Sequence, residues 1–176
     1  VLDFLPHGHP TDRKPEPIAQ VIGNKYFSLL EVVLRNDVKV NNGDVIYIGK
    51  EKREKVDHIK GRINVNKLTA FARSELPHVV EDIVNKNEER FVNFFNNAQP
   101  ISTRMHQLEL LPGIGKKHMW DIIDERKKSP FKNFADIKER VKLLQNPREL
   151  IVKRILEEIE NEDEKYMVFV ARPRRF

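Results

Sequence analysis

The apolar residues of this chain change their period twice, and that change restricts the fold more than any single motif does. Between Ile18 and Val65 they form strand-length runs: Ala19–Ile22, Tyr26–Leu34, Val45–Ile48 and Val56–Ile63. Gly23-Asn24, Asn41-Asn42-Gly43-Asp44 and Gly49-Lys50 supply turn chemistry between them. From Lys67 to Asn161 the spacing becomes helical, and strand-like character returns at Tyr166–Ala171. A lone strand leaves its backbone groups unpaired, so this last run is expected to rejoin the N-terminal sheet. The reading is α+β. A small β-barrel over residues 1–66, completed by a strand at 166–171, is followed by connecting helices at 67–100 and a helical domain at 101–161. An acidic loop, the closing strand and a basic tail occupy 162–176.

Within the connecting region the pattern predicts a short segment from Lys67 to Arg73, then helices at Glu75–Asn85 and Glu88–Asn97, with Ser74 as a cap and Pro77 in a first turn. Phe91, Phe94 and Phe95 fall at helical spacing and are read as core. After Pro100, Ser102 or Thr103 can cap a helix leading to Leu110-Leu111-Pro112-Gly113-Ile114-Gly115-Lys116-Lys117. Here Pro112 ends the incoming helix, Gly113 and Gly115 allow positive φ and close backbone approach, and Ile114 can turn inward. The amides opening the next helix then face solvent, where an anion can take them, and Lys116 and Lys117 add charge. The same spacing also fits an ordinary turn between helices.

Charge follows the hairpin. The chain has a formal net charge of +5 and a sequence pI near 9.4. Residues 101–156 hold 13 Lys and Arg against 7 Asp and Glu, whereas residues 157–165 hold 6 acids and one lysine. A basic excess of this kind points to a polyanion, and the acidic run reads as a solvated helix end and loop. With no cysteine, disulfides, thiolate metal sites and cysteine catalysis are excluded. No apolar run nears the roughly 20 residues that span a bilayer, so a soluble, cytoplasmic protein without membrane association is expected. Because the sequence opens on Val1, a few preceding residues are expected to be missing or processed.

The segment Leu110–Lys117 resembles the hairpin of a helix-hairpin-helix element. A shift of 32 residues places Leu111 on Leu143, Met119 on Ile151, Ile123 on Ile155 and Lys116 on Arg148. Together with the connector Ser129–Ile137, this resembles a tandem helix-hairpin-helix domain. Its second hairpin, Lys142–Arg148, departs from the pattern in having no glycine. Asn146 would take the left-handed position, and Pro147 removes an amide. The resemblance implies a grip on neighbouring phosphates by the backbone of Gly113, Ile114, Gly115, Lys116 and Lys117, with Asn146 and Arg148 on the second hairpin. It also implies a monovalent cation on some hairpins, for which Gly113–Gly115 would be the place; no other cofactor is expected.

The N-terminal strands resemble an OB or S1-like barrel, whose Lys50, Lys52, Arg53, Lys55 and Arg62 would supply charge and whose Tyr26, Phe27 or Tyr47 could stack on bases. Those aromatics also read as core, and the basic loop as a solvated hairpin. Arg172-Pro173-Arg174-Arg175 is a further candidate contact or a charged tail. As a whole, the arrangement from Leu2-Asp3-Phe4-Leu5-Pro6-His7-Gly8-His9-Pro10 through LPGIGKK to the closing strand resembles an archaeal family of unknown function predicted to bind RNA. That resemblance favours RNA over DNA; a phosphate clamp alone does not separate them.

Catalysis is not expected. Base-excision glycosylases carry a similar hairpin and a catalytic aspartate about 20 residues beyond, where Asp136 stands, but the residues after Asp136 do not match, and first-turn helix chemistry accounts for it. His7, His9 and Asp12 are close in sequence without the fixed geometry of a metal site; they could instead dock the N-terminal arm. The expectation is a non-catalytic nucleic-acid-binding protein. A DNA-repair or recombination factor is the alternative, and a protein-interaction module the third.

Overall fold

The computed structural model describes residues 1–174. It is a mixed α+β protein whose chain divides into two compact units, one comprising residues 1–79, 159–163 and 167–174, the other Val80–Glu158 and Glu164–Tyr166. None of its helices is long and apolar enough to cross a membrane.

The first unit is built on four antiparallel strands in sequence order: β1 (Asp3–Leu5), β2 (Ile18–Ile22), β3 (Leu29–Leu34) and β4 (Val56–Arg62). β2 is buried along its whole length. Ala19, Val21, Val32, Leu34, Val40 and Val56 form its apolar cluster with Val1. The one polar residue of β2, Gln20, is satisfied at both ends: its Nε2 donates to Glu31 Oε1 (3.0 Å) and the Lys67 carbonyl (2.9 Å), while its Oε1 accepts from Thr69 N–H (2.9 Å). Buried amides of this kind must be paired, and these bonds fix the start of the helical region against the sheet.

The expected closed barrel is not formed; the sheet is open. Two of the runs assigned as strands explain this. Val45–Ile48 keeps its alternation, with Ile46 and Ile48 packed on the cluster and Val45 and Tyr47 exposed, but it pairs with no ladder. Its chain folds back instead, so that the Tyr47 ring lies against Gly49 and its hydroxyl accepts from Glu51 N–H (3.3 Å). Residues 166–171 likewise form no strand. Phe169 and Val170 are buried, and the Ala171 N–H donates to the Tyr26 carbonyl (3.1 Å) in the turn between β2 and β3. Strand β1, by contrast, had no recognisable period in three residues.

Helix α1 (Ala70–Lys86) is continuous through Pro77. Thr69, not Ser74, caps it: Thr69 Oγ1 accepts from Ala72 N–H (3.0 Å), and Ser74 bonds back to the Phe71 carbonyl (2.7 Å). In the second unit α2 (Glu88–Asn97) buries Phe91 and Phe95, with Phe94 edge-on to Phe95 at 5.9 Å. Helices α3 (Lys116–Lys128), α4 (Phe134–Arg140) and α5 (Pro147–Glu160) follow. The connector between α3 and α4 is tied to α2 by a reciprocal pair, Asn96 Nδ2 to the Phe131 carbonyl (3.0 Å) and Phe131 N–H to Asn96 Oδ1 (2.8 Å).

Candidate functional site

The first hairpin is entered by a 3-10 turn, Gln107–Leu110, rather than the longer helix expected, and its cap is His106 rather than Ser102 or Thr103. His106 Nδ1 accepts from Leu108 N–H (3.1 Å), and Glu109 Oε2 accepts from His106 N–H (2.8 Å). A glutamate three residues after the cap is the sequence sign of such a reciprocal box, overlooked because histidine is not a usual cap.

Burial holds the His106 ring below the ordinary histidine range, with Arg126 acting the same way, Glu109 opposing and Lys116 assisting. Neutral Nδ1 is the acceptor, so the unfolded chain takes up the proton more readily than the folded one. The contribution of this cap is complete above about pH 6.5 and is lost as the pH falls below it. Amide-exchange protection at Leu108 and Ile114 is expected to fall as the pH drops below about 6.5, and His106→Asn, which keeps an acceptor without titrating, should flatten that profile. An unchanged profile in His106→Asn would assign the dependence to another group.

Gly113 carries φ +87, a value that only glycine adopts freely, and turns the chain so that Ile114 is buried at 5% exposure. The Ile114 N–H donates to the Leu111 carbonyl (3.1 Å). Gly115 is the N-cap of α3, where Met119 N–H makes the first helical bond to its carbonyl (3.0 Å). A glycine offers no capping side chain, and no acid stands in the first turn. The amides of Lys116, Lys117 and His118 therefore open the helix without an intrahelical acceptor, and a Cβ at Gly115 would meet nothing within 4 Å. The two lysines differ. Lys117 is exposed, whereas Lys116 Nζ donates to the Arg104 carbonyl (2.6 Å) and pairs with Glu109 Oε2 (2.9 Å).

The second hairpin lies beside the first, since the Gln145 side chain would stand 3.5 Å from a Cβ on Gly113. Its geometry departs from the reading above. Leu143, not Asn146, adopts the left-handed conformation (φ +62), and it is 84% exposed where Leu111 is 1% exposed. Leu143 is thus the counterpart of Gly113, and the 32-residue alignment fails at the turn while holding in the helices, where Met119 and Ile123 match buried Ile151 and Ile155. The second turn is longer and has room for an extra capping residue. Asn146 fills that place: its Oδ1 accepts from Arg148 N–H (3.1 Å), and its carbonyl from Leu150 N–H (3.2 Å). With Pro147 lacking an N–H, the amides opening α5 are largely used or absent. Arg148 sits over the Phe134 ring at 5.6 Å.

Arg154 of α5, which is 6% exposed, ties that helix to the entry of the first hairpin. Its Nε pairs with buried Glu158 Oε2 (3.2 Å), Nη1 donates to the Leu110 carbonyl (3.2 Å), and Nη2 donates to the Tyr166 carbonyl. Asp136 is engaged at the start of α4, accepting from Lys132 N–H (3.0 Å) and pairing with Arg140 (3.2 Å); the Lys132 N–H and Arg140 hold its carboxyl below the usual range against burial.

In the other unit, Lys50, Lys52 and Lys55 are exposed, while Arg53 is used within its own loop, its Nε donating to the Gly49 carbonyl (2.9 Å). Arg62 ends β4 and donates to the Ala171 carbonyl (2.7 Å). Tyr26 and Tyr47 are exposed and Phe27 is core. His9 docks the N-terminal arm on β3, with Nε2 2.6 Å from Glu31 Oε1, and no group of three or more His, Asp or Glu suited to a metal occurs among the described residues. Of the basic tail, Arg172 and Arg174 are described; Arg175 lies outside the described residues.

These features define a mixed α+β protein with an open four-stranded antiparallel sheet and five α-helices among the described residues. The family described as "Protein of unknown function (DUF655)" matches residues 1–171, and the chain belongs to it. It is 46% identical over 171 residues to the "Uncharacterized protein MJ0038" of Methanocaldococcus jannaschii, covering 97% of this chain and 77% of that one. The crystal structure of Af1531 from Archaeoglobus fulgidus, of the same family, is similar at a TM-score of 0.89 and 52% identity, with 97% of each chain covered. This agrees with the expected resemblance to an archaeal family of unknown function.

Proposed function

We propose that this chain is a non-catalytic nucleic-acid-binding protein, favouring RNA, that grips the phosphate backbone at a helix-hairpin-helix clamp with little reading of sequence. The observation that carries this reading is the opening of α3, where glycine caps the helix, no acid stands in the first turn, and a Cβ added at Gly115 would meet nothing within 4 Å among the described residues. A helix start of this kind offers amides and a positive dipole end to a phosphate. The Lys117 ammonium adds charge there, while Lys116 offers its amide. The second hairpin, its amides occupied by Asn146 or lost to Pro147, acts as a support. The sheet unit contributes Lys50, Lys52, Lys55 and Arg62 as a second surface. The preference for RNA comes from the family resemblance.

Fluorescence-anisotropy titration against matched single- and double-stranded RNA and DNA tests this reading. Affinity should fall as salt rises, with a slope on logarithmic axes of roughly −1.5 for about two phosphates contacted, and should vary little with sequence. Tighter binding to DNA would favour a repair or recombination role. No binding to any of the four would overturn the reading and point to a protein partner.

A further inference from the structure

The sheet unit holds a pocket of about 440 Å3 that the hairpin does not involve, lined by His9, Asp12, Glu31, Lys60, Arg62 and Lys67 among others. At its heart is a buried carboxylate. Glu31 is 7% exposed, and its Oε1 accepts from Gln20 Nε2 (3.0 Å) and meets His9 Nε2 (2.6 Å). Its Oε2 is 3.9 Å from Lys60 Nζ, an ion-pair separation beyond hydrogen-bond length, so this oxygen keeps acceptor capacity. Lys60 itself leans on Asp12, 3.3 Å from Oδ1. Arg62 uses one Nη2 bond, to the Ala171 carbonyl, leaving other donors of its fork. The three cations outnumber the two carboxylates.

A buried acceptor beside surplus cations complements a ligand carrying both a hydroxyl donor and an anionic group. Ribose and its phosphate fit: a carboxylate takes a ribose hydroxyl in dinucleotide sites, guanidinium and ammonium groups take phosphate, and the volume lies in the range of small-ligand pockets. We propose that this pocket binds a ribonucleoside phosphate, with the ribose 2′-hydroxyl donating to Glu31 Oε2 and the phosphate held by Arg62 and Lys67. This deepens the nucleic-acid reading by naming ribose as the recognised group, and it rests on that reading only in expecting the occupant to come from RNA.

The test is an amide-resolved NMR titration of the full chain with adenosine monophosphate, its 2′-deoxy form and inorganic phosphate. Shifts at Gly61 and Asn64 are expected, with the ribonucleotide bound about tenfold more tightly than either comparator. Lys67→Met should weaken it about tenfold, and Glu31→Gln should narrow the ribose preference. Should Glu31→Gln fold poorly, the comparison of ribose with deoxyribose in the unaltered chain carries the same information. Equal affinity for the ribonucleotide and deoxyribonucleotide overturns the ribose assignment, as does phosphate binding equally well. Shifts confined to Gly113 and Gly115 overturn the pocket while favouring the hairpin, and no shift at millimolar ligand overturns it outright. Binding here by a chain that ignores polynucleotides would instead sustain the pocket and remove the clamp.

Discussion

Replacing Arg154 with alanine is expected to destabilise the helical unit by about 3–5 kcal/mol, the largest loss for a single side chain outside the apolar core. The reason lies in what the guanidinium leaves behind. Glu158 is 0% exposed, and a carboxylate so buried loses the Arg154 guanidinium from its surroundings while remaining out of water. Two carbonyls, of Leu110 and Tyr166, lose donors as well. Thermal melts should show a midpoint lower by roughly 10 °C, at about 2–4 °C per kcal/mol for a chain of this size. Because Leu110 leads into the first hairpin, amide exchange at Ile114 should accelerate too. The double change Arg154→Met with Glu158→Leu should recover much of the loss, since an apolar pair replaces an ionic one. A loss below about 1 kcal/mol for Arg154→Ala would mean that water reaches Glu158 and that the pair behaves as a surface one.

The second large effect is on binding. Gly115→Leu should lower affinity for RNA and DNA by at least about tenfold, equivalent to roughly 1.4 kcal/mol, and equally for every sequence. Gly115 has φ −95 and ψ −169, which any residue adopts, and open space where a Cβ would be added. The substitution is therefore tolerated by the fold, at a cost of about 1 kcal/mol for a poorer cap, yet it fills the place where a phosphate would approach the amides of α3. Gly113 would be a poorer choice, because φ +87 strains any side chain there and confounds folding with binding. Unchanged affinity in a folded Gly115→Leu protein would remove the clamp from the mechanism.

Much of the fold was legible because burial imposes periodicity. The runs that became β2, β3 and β4 were readable, as was the aromatic set of α2. What failed was pairing. Ile46 and Ile48 alternate as a strand does, but alternation records which side of the chain is buried and does not reveal whether a neighbour supplies a ladder. The same holds for Phe169 and Val170, buried without a strand. At the candidate site, Gly113 and Gly115 were visible because their chemistry is local. Three other features were not. Lys116 is engaged by Glu109 seven residues earlier, Leu143 adopts a left-handed backbone that leucine gives no reason to expect, and the surroundings of the buried Glu31 carboxylate come from three separate segments.

The asymmetry of the two hairpins has a mechanical consequence. A pair of equivalent clamps would seize a strand at two points and set its direction, like a rail. With open amides on one hairpin and Asn146 and Pro147 closing the other, a bound strand would be pinned at one point and left free to swivel about it. Polarity along the strand would then have to be set by some other surface, leaving the hairpin as a pivot.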